Sequence, residues 1–220
     1  AYDFPIKPGS EAWKTLGGHV DCQVPEQLLR KISTGGLIET VFNFPRFETS
    51  FWAYDCTQQG FEHLFSGFNG VRELFKRKDA GSLLLVKYRA MCRAGLAGNA
   101  GEDAEWGCVS SLWKIEMLLG QYPLLKGFTE LQRRELLKEA FTRYQEQKSL
   151  KNYRKISEVY AVLLIGRILR TADYAPFIQK VDKNAELKKF LDKGACSIIS
   201  PDVLNNILPL TEQFLSDKGK

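Results

Sequence analysis

Histidine and methionine are scarce in this chain of 220 residues, which holds two of each. With only His19 and His63 present, a histidine-rich metal site is nearly excluded. The five cysteines are odd in number, widely and irregularly spaced, and form no CxxC pair, so neither a zinc site nor a paired disulfide framework is indicated. We therefore expect small buried cysteines, no metal and no cofactor.

Long apolar runs and strand patterns are also missing. The longest apolar run, Tyr160–Ile165, is broken by Gly166 and Arg167 and is far shorter than the ~20 residues that a membrane span needs. Period-2 alternation with β-branched residues is scarce, whereas apolar residues recur at helical spacing. The sequence predicts an all-α fold: an irregular multi-helix bundle of short helices, with a short superhelical stack of helical pairs as a variant.

The overall composition is that of an ordinary globular protein. Hydrophobic residues make up 44% and charged residues 26% of the chain, so a sizeable core can be buried. We expect a single all-helical domain over residues 1–220. The alternative is two halves, 1–93 and 102–220, joined by the Gly-rich loop 94–101.

The net charge of +5 is mildly basic. Much of the excess lies between Arg133 and Lys155, where glutamates are interleaved with the basic residues. Interleaved charges at helical spacing are typical of a solvated helix face with i,i+4 pairs, and no nucleic-acid motif accompanies them. A nucleic-acid-binding module is therefore the weakest of the functions considered.

Start and stop signals divide the chain into helices. Ser10, Ser33 or Thr34, Thr57, Asp79 and Thr129 are expected N-caps, and Ser200-Pro201-Asp202 opens the last helix. Pro209 is expected to kink or end that helix. The predicted helices cover residues 11–16, 26–32, 37–43, 47–54, 57–67, 71–77, 80–92, 103–120, 130–148, 153–170 and 184–193, with 153–170 as the central helix because it is apolar nearly all round.

The segment Gly60–Ala80 is the densest in local signals. Phe68-Asn69-Gly70 is expected to interrupt two helices, with Asn69 tolerating the left-handed region and Gly70 supplying a positive φ. Asp79 would cap the next helix. These residues are predicted to join helices at fixed angles and to have structural roles.

Few residues indicate chemistry. Cys56 and His63 lie close in sequence, but nothing places a third group beside them, and the acidic residues Glu102, Asp103 and Glu105 suit the start of a helix. An aromatic cluster offers the best binding candidates, although core packing is favoured for it. The candidate groove residues for a peptide or sugar are Phe51, Trp52, Tyr54 and His63.

The first half resembles an uncharacterised family of exported proteins from Bacteroides-type bacteria. The resemblance depends on Pro25-Glu26, Ser33-Thr34 and Gly60-Phe61, and above all on the unbroken stretch Phe68–Ala80, which follows the pattern F-N-G-x-x-E-L-x-x-R-K-D-A. It covers roughly residues 5 to 92 and departs at Val41–Phe44, where cysteine and tyrosine are expected at two positions. It implies export to the periplasm or cell surface after removal of a signal or lipoprotein peptide, and no activity.

The sequence thus predicts a secreted or periplasmic, non-enzymatic binding or scaffold domain that contacts a protein or peptide partner in the cell envelope. The alternative is an envelope hydrolase acting on glycan, peptidoglycan or peptide. A cytoplasmic location stays open, and the sequence makes no prediction of the oligomeric state.

Overall fold

The computed structural model describes residues 1–16, 20–91, 102–148, 155–194 and 199–217. These ranges contain fourteen helices and no strand, which confirms the predicted all-α, multi-helix class for the described part of the chain. None of these helices is long and apolar enough to cross a membrane. In chain order they are α1 Glu11–Thr15, α2 Glu26–Leu29, α3 Thr34–Phe42, α4 Thr49–Trp52, α5 Thr57–Gly67, α6 Asn69–Leu74, α7 Ala80–Ala90, α8 Glu102–Leu119, α9 Tyr122–Gly127, α10 Glu130–Lys148, α11 Lys155–Thr171, α12 Ala175–Lys183, α13 Ala185–Lys193 and α14 Pro201–Ser216.

The chain forms two compact units, Ala1–Leu83 (unit 1) and Leu84–Lys220 (unit 2). Helix α7 therefore begins in unit 1 and continues into unit 2. The Gly-rich loop 94–101 lies outside the described residues, and the predicted joint at that loop stays a prediction.

Two predicted N-caps of unit 1 are confirmed. The Ser10 hydroxyl accepts from the Trp13 N–H at 3.2 Å and starts α1. The Ser33 hydroxyl accepts from the Gly36 N–H at 3.2 Å, so α3 begins at Thr34, three residues earlier than predicted. Gly35 and Gly36 therefore lie inside the first turn of α3. Two glycines alone would disfavour a helix there, but the Ser33 cap stabilises its first turn.

Other helix boundaries in unit 1 were also predicted wrongly, and α2 and α6 each end three residues earlier than predicted. The predicted helix 47–54 is only the four-residue α4, Thr49–Trp52. Thr57 is the first residue of α5 and not its cap, since the N-cap is Cys56, in an extended conformation. These errors concern the ends of helices, which fray and are less sharply determined than helix interiors.

The roles predicted for Asn69 and Gly70 are also wrong. Both residues lie in the first turn of α6, and Gly70 does not have a positive φ. A Cβ on residue 70 would instead collide with the ring of Phe68. Gly70 is therefore required by close packing and not by backbone conformation.

Phenylalanine rings form much of the core of unit 1. Phe44 and Phe68 stack with centroids 4.0 Å apart, and Phe4 packs on both at 6.0 Å. Phe47 and Phe51 form a second stack at 5.6 Å. These large rings let short helices bury enough apolar area to form a stable unit.

Helices α4 and α5 approach each other closely at Gly60. A Cβ on this residue would lie 2.8 Å from the Cα of Phe51 and 2.6 Å from its Cδ1 atom. Because backbone cannot yield as a flexible side chain does, we expect Gly60→Ala to destabilise the protein by about 1–3 kcal/mol. Urea denaturation should show this loss, whereas Gly67→Ala, where an added Cβ meets nothing within 4 Å, should be close to neutral. Equal stabilities of the two variants would contradict the prediction.

Helix α11 is the central helix of unit 2, as predicted for a helix that is apolar nearly all round. Helices α8, α9, α10, α12, α13 and α14 all pack on α11. Residues Val159 to Leu169 of α11 are buried without exception. The ends of α8 and α13 lie near this central helix, where the buried Arg167 donates to their carbonyl oxygens.

The capping predictions for unit 2 are confirmed where they were made. The Thr129 hydroxyl accepts from the Gln132 N–H at 3.2 Å, and the Gln132 side chain accepts from the Thr129 N–H at 2.9 Å, which is a capping box at the start of α10. The Ser200 hydroxyl caps α14. Pro209 lies inside α14 and does not end it. Two helices, α9 and α12, were not predicted, although each has a proline in its first turn.

Candidate functional site

A cavity of about 310 Å³ in unit 1 is the best candidate site. Its inner wall is formed by buried residues such as Val20, Phe44 and Leu64, and its rim holds Arg46 and the exposed His63. The remaining lining residues are Asp21, Cys22, Gln23, Ser50 and Gly67. Apolar walls with a few polar groups at the opening are typical of sites for small ligands or side chains.

Arg46 is the only arginine or lysine among the lining residues, and its position is well fixed. Its Nη2 group donates to the carbonyl oxygen of Val20 at 3.0 Å. The guanidinium lies 5.9 Å from the centroid of the Trp13 ring. The half-exposed side chain thus presents a planar cation beside an apolar wall. A guanidinium in this setting is suited to a carboxylate, which it can bind through two parallel hydrogen bonds.

The extended segment 20–24 forms one side of the cavity and is held by Asn69. The Asn69 side chain accepts from the Val24 N–H at 3.0 Å and donates to the Val24 carbonyl at 2.7 Å. Gln23 strengthens this link, because its side chain accepts from the Asn69 N–H at 2.8 Å and donates to the Gly67 carbonyl at 2.6 Å. The segment has no helix or strand of its own, and these side chains replace a sheet partner.

Other polar residues of the Gly60–Ala80 segment also have structural partners within unit 1. Arg72 donates to the carbonyl oxygens of Phe65 and Ser66 at the end of α5. Arg77 pairs with Glu73 at 2.8 Å, and Asp79 accepts a hydrogen bond from the Thr34 hydroxyl at 2.8 Å. The segment therefore builds the frame of the cavity.

The four predicted groove residues are not gathered at one place. Phe51 is buried against Phe47, whereas Tyr54 and His63 are exposed and lie with ring centroids 5.2 Å apart. His63 lines the cavity. The side chain of Trp52 lies outside the described residues, and the ligand-binding role of the set stays a prediction.

Sequence reasoning missed Cys22 and Arg46. It considered Cys56 beside His63, but the cysteine that lines the cavity with His63 is Cys22, from a different part of the chain. Burial raises the pKa of the Cys22 thiol, which donates weakly to the Val20 carbonyl at 3.5 Å. A thiol with a raised pKa is a poor nucleophile, so Cys22 acts here as a small apolar wall residue. The arrangement favours binding over covalent chemistry.

A more open concavity of about 490 Å³ lies between α10 and α14 of unit 2. Phe141 and Tyr144 stack along it with centroids 6.4 Å apart, and Lys148 lies 5.9 Å from the Tyr144 ring centroid. Leu137, Ala140 and Tyr144 of α10 are buried, whereas Phe141 is half-exposed at the concavity.

Unit 2 also contains a buried polar cluster. Glu116 of α8 is 1% exposed and accepts a hydrogen bond from the buried Tyr88 hydroxyl at 2.8 Å. Burial raises the pKa of Glu116 to about 8, although Tyr88, Arg143 and Gln147 each act to lower it. Gln147 influences the carboxyl only weakly, since neither of its amide atoms makes a hydrogen bond of normal geometry. The cluster does not open into either cavity described above, because none of these residues lines one.

Comparison with models of protein families, with curated proteins and with solved structures finds no match to this chain. The resemblance to exported proteins of Bacteroides-type bacteria therefore stays a prediction. Among the residues whose side chains the structure describes, no group of three histidine, cysteine or acidic residues is placed to hold a metal ion. The cavity in unit 1 is therefore the feature of the protein that best indicates a function.

Proposed function

We propose that the protein is a non-enzymatic binding domain of the cell envelope that holds a peptide segment of a protein partner in the cavity of unit 1. The observation that supports this is the pairing of Arg46 with an apolar wall of Val20, Phe44 and Leu64 in a cavity of about 310 Å³. A cavity of this size is suited to one apolar side chain and the carboxylate next to it. The location in the envelope follows from the proposed resemblance alone.

The chemistry of the rim favours a peptide that ends in an apolar residue. Its terminal carboxylate would face the Arg46 guanidinium, and its last side chain would contact the apolar wall. Asp21, exposed on the same rim, would repel a second acidic group close by. The preferred ligand is therefore a single carboxylate on an apolar residue and not an acidic run.

The hydrolase alternative gains no comparable support. Such an enzyme needs two carboxyl groups that converge on a cleft, one of them with a raised pKa. Among the described acidic residues for which a shift is resolved, Glu116 has the raised pKa, and it is buried beside Tyr88. The cavity of unit 1 includes one acidic residue, Asp21.

A direct test uses an acetylated tetrapeptide that ends in leucine with a free carboxylate, and the same peptide with a terminal amide. In an NMR titration of the labelled protein, the free acid should shift the amide signals of the lining residues Asp21, Cys22 and Gly67. The amide should bind about tenfold more weakly or worse, because the charge-assisted hydrogen bonds to Arg46 are lost.

Matched variants decide whether Arg46 is responsible. Arg46→Gln should abolish the preference for the free acid, whereas Lys78→Gln, which removes one exposed positive charge elsewhere in unit 1, should preserve it. Shifts of equal size for both peptides, or an equal loss in both variants, would count against the proposal. Fractionation of cells that produce the protein tests the envelope location separately.

A further inference from the structure

One guanidinium in unit 2 lies among three carboxyl groups. Arg143 is fully buried, with Nε donating to Glu139 Oε1 at 2.9 Å and Nη1 lying 3.5 Å from Glu146 Oε2. Glu116, the third acid, is the most buried of the three. With two acids already paired to one cation, an ionised Glu116 would have no counter-ion of its own.

Arg143 also binds the C-terminal end of α7. Its Nη2 group donates to the carbonyl oxygens of Tyr88 and Arg89 at 3.4 and 3.3 Å, in the last turn of that helix. Glu116 holds the same turn through the Tyr88 hydroxyl. The polar cluster therefore links the C-terminal turn of α7 to both α8 and α10.

We propose that Glu116 is a neutral carboxylic acid at neutral pH, and that its ionisation is a pH-sensitive release for the C-terminal turn of α7. In the neutral state, Tyr88 and Arg143 hold that turn against α8 and α10 of unit 2. When the carboxyl proton leaves to solvent, a buried negative charge remains beside Arg143. The cation is then drawn toward Glu116 and away from the two carbonyl oxygens of α7.

The hydrogen-bond lengths of Arg143 indicate which bonds break when Glu116 ionises. The bonds from Arg143 to the α7 carbonyls are the longest that its guanidinium makes among the hydrogen bonds described, and its Nη1 atom makes none. Glu116 Oε2 likewise has no hydrogen-bond partner. Movement of the guanidinium toward Glu116 would therefore exchange two long hydrogen bonds for a charge-assisted pair.

The other charged and titratable groups around Glu116 do not account for this dependence on pH. From α7 it meets Tyr88, and from α10 it meets Arg143 and Gln147, with Glu139 and Glu146 beyond. Helix α11 contributes Tyr160 against Trp113, nearly one turn before Glu116, and Arg167 on the carbonyl of Gly120, about one turn after it. Burial raises the pKa values of Tyr88 and Tyr160 above the usual value for tyrosine, so neither ionises near neutral pH.

The first measurement follows the carboxyl carbon of Glu116 by NMR in the unmodified protein, assigned through its contact with the Tyr88 ring. Its signal should titrate with a midpoint at about pH 8. A midpoint near the ordinary glutamate value of 4.5 would overturn the proposal. This measurement does not depend on any variant folding correctly.

The second measurement tests the release itself by hydrogen–deuterium exchange of the peptide that covers residues 84–91. After correction for the intrinsic rate, protection should fall about tenfold between pH 7 and pH 9. The opened turn lets Glu116 ionise at its ordinary value, so opening gains roughly a power of ten per pH unit below the folded midpoint and levels off above it. Glu116→Gln should make protection independent of pH, whereas the control Glu130→Gln, an exposed acid on α10, should behave like the unmodified protein. The same pH profile in Glu116→Gln and in the unmodified protein would show that Glu116 does not control this turn.

Discussion

The free energy of unfolding is expected to fall as the pH rises from about 5 to about 8, by roughly 1.4 kcal/mol per pH unit, through Glu116 alone. The folded protein keeps the Glu116 proton up to about pH 8, whereas the unfolded chain releases it above the ordinary value of 4.5. Between these limits the folded state binds one more proton than the unfolded state. Raising the pH therefore favours unfolding, and the full effect is about 4–5 kcal/mol.

Urea denaturation at pH 5 and pH 8, followed by far-ultraviolet circular dichroism, checks this expectation. Glu116→Gln preserves a neutral side chain of similar shape, so its stability should change much less over the same interval. The difference between the two proteins should grow with pH and should favour the variant at pH 8. Parallel pH dependences would contradict the prediction.

Most helices of the protein were predictable, because their starts depend on local chemistry. Ser10, Thr129 and Ser200 each satisfy backbone N–H groups within three residues, and such contacts leave a clear pattern in the sequence. Helix α4 and the roles of Asn69 and Gly70 were not predictable in the same way. They depend on Phe51, Phe68 and Val24, which the folded chain brings close.

The candidate site was harder to predict than the fold for the same reason. His63 has a recognisable residue type, but Arg46 and Cys22 acquire their positions through the extended segment 20–24, which Asn69 holds from 45 residues away. A lone arginine after a proline has no sequence signal for ligand binding. Likewise, the interleaved charges of α10 predicted a solvated face, yet Arg143 on that helix is fully buried.

At the pair Gly166-Arg167, an apparent break in an apolar run is in fact a site of close helix packing. It was interpreted as the end of an apolar run, but both residues are buried in the middle of α11. A Cβ on Gly166 would lie 2.6 Å from Leu191 Cδ2, so this is where α13 packs closely on α11. That close packing brings the end of α13 within reach of the neighbouring arginine.

Arg167→Met is expected to destabilise the protein by about 3–6 kcal/mol, the second large effect. The buried guanidinium donates to three main-chain carbonyls: Leu191 at 2.8 Å, Gly120 at 3.1 Å and Asp192 at 3.3 Å. These carbonyls lie at the ends of α8 and α13, where a helix cannot satisfy its own acceptors. Methionine fills a similar volume but leaves them without these donors, at about 1–2 kcal/mol each.

The adjacent turn of α11 provides the control for that experiment. Arg170→Met removes the same charge and a 2.6 Å ion pair with Asp192, but this pair is partly exposed and should contribute only ~0–1 kcal/mol. Arg167→Lys should recover little of the loss, because a single ammonium group cannot reach three carbonyls that lie in different directions. Urea denaturation of the three variants tests both statements. If Arg167→Lys were as stable as the unmodified protein, the charge of residue 167 would matter and its planar set of donors would not.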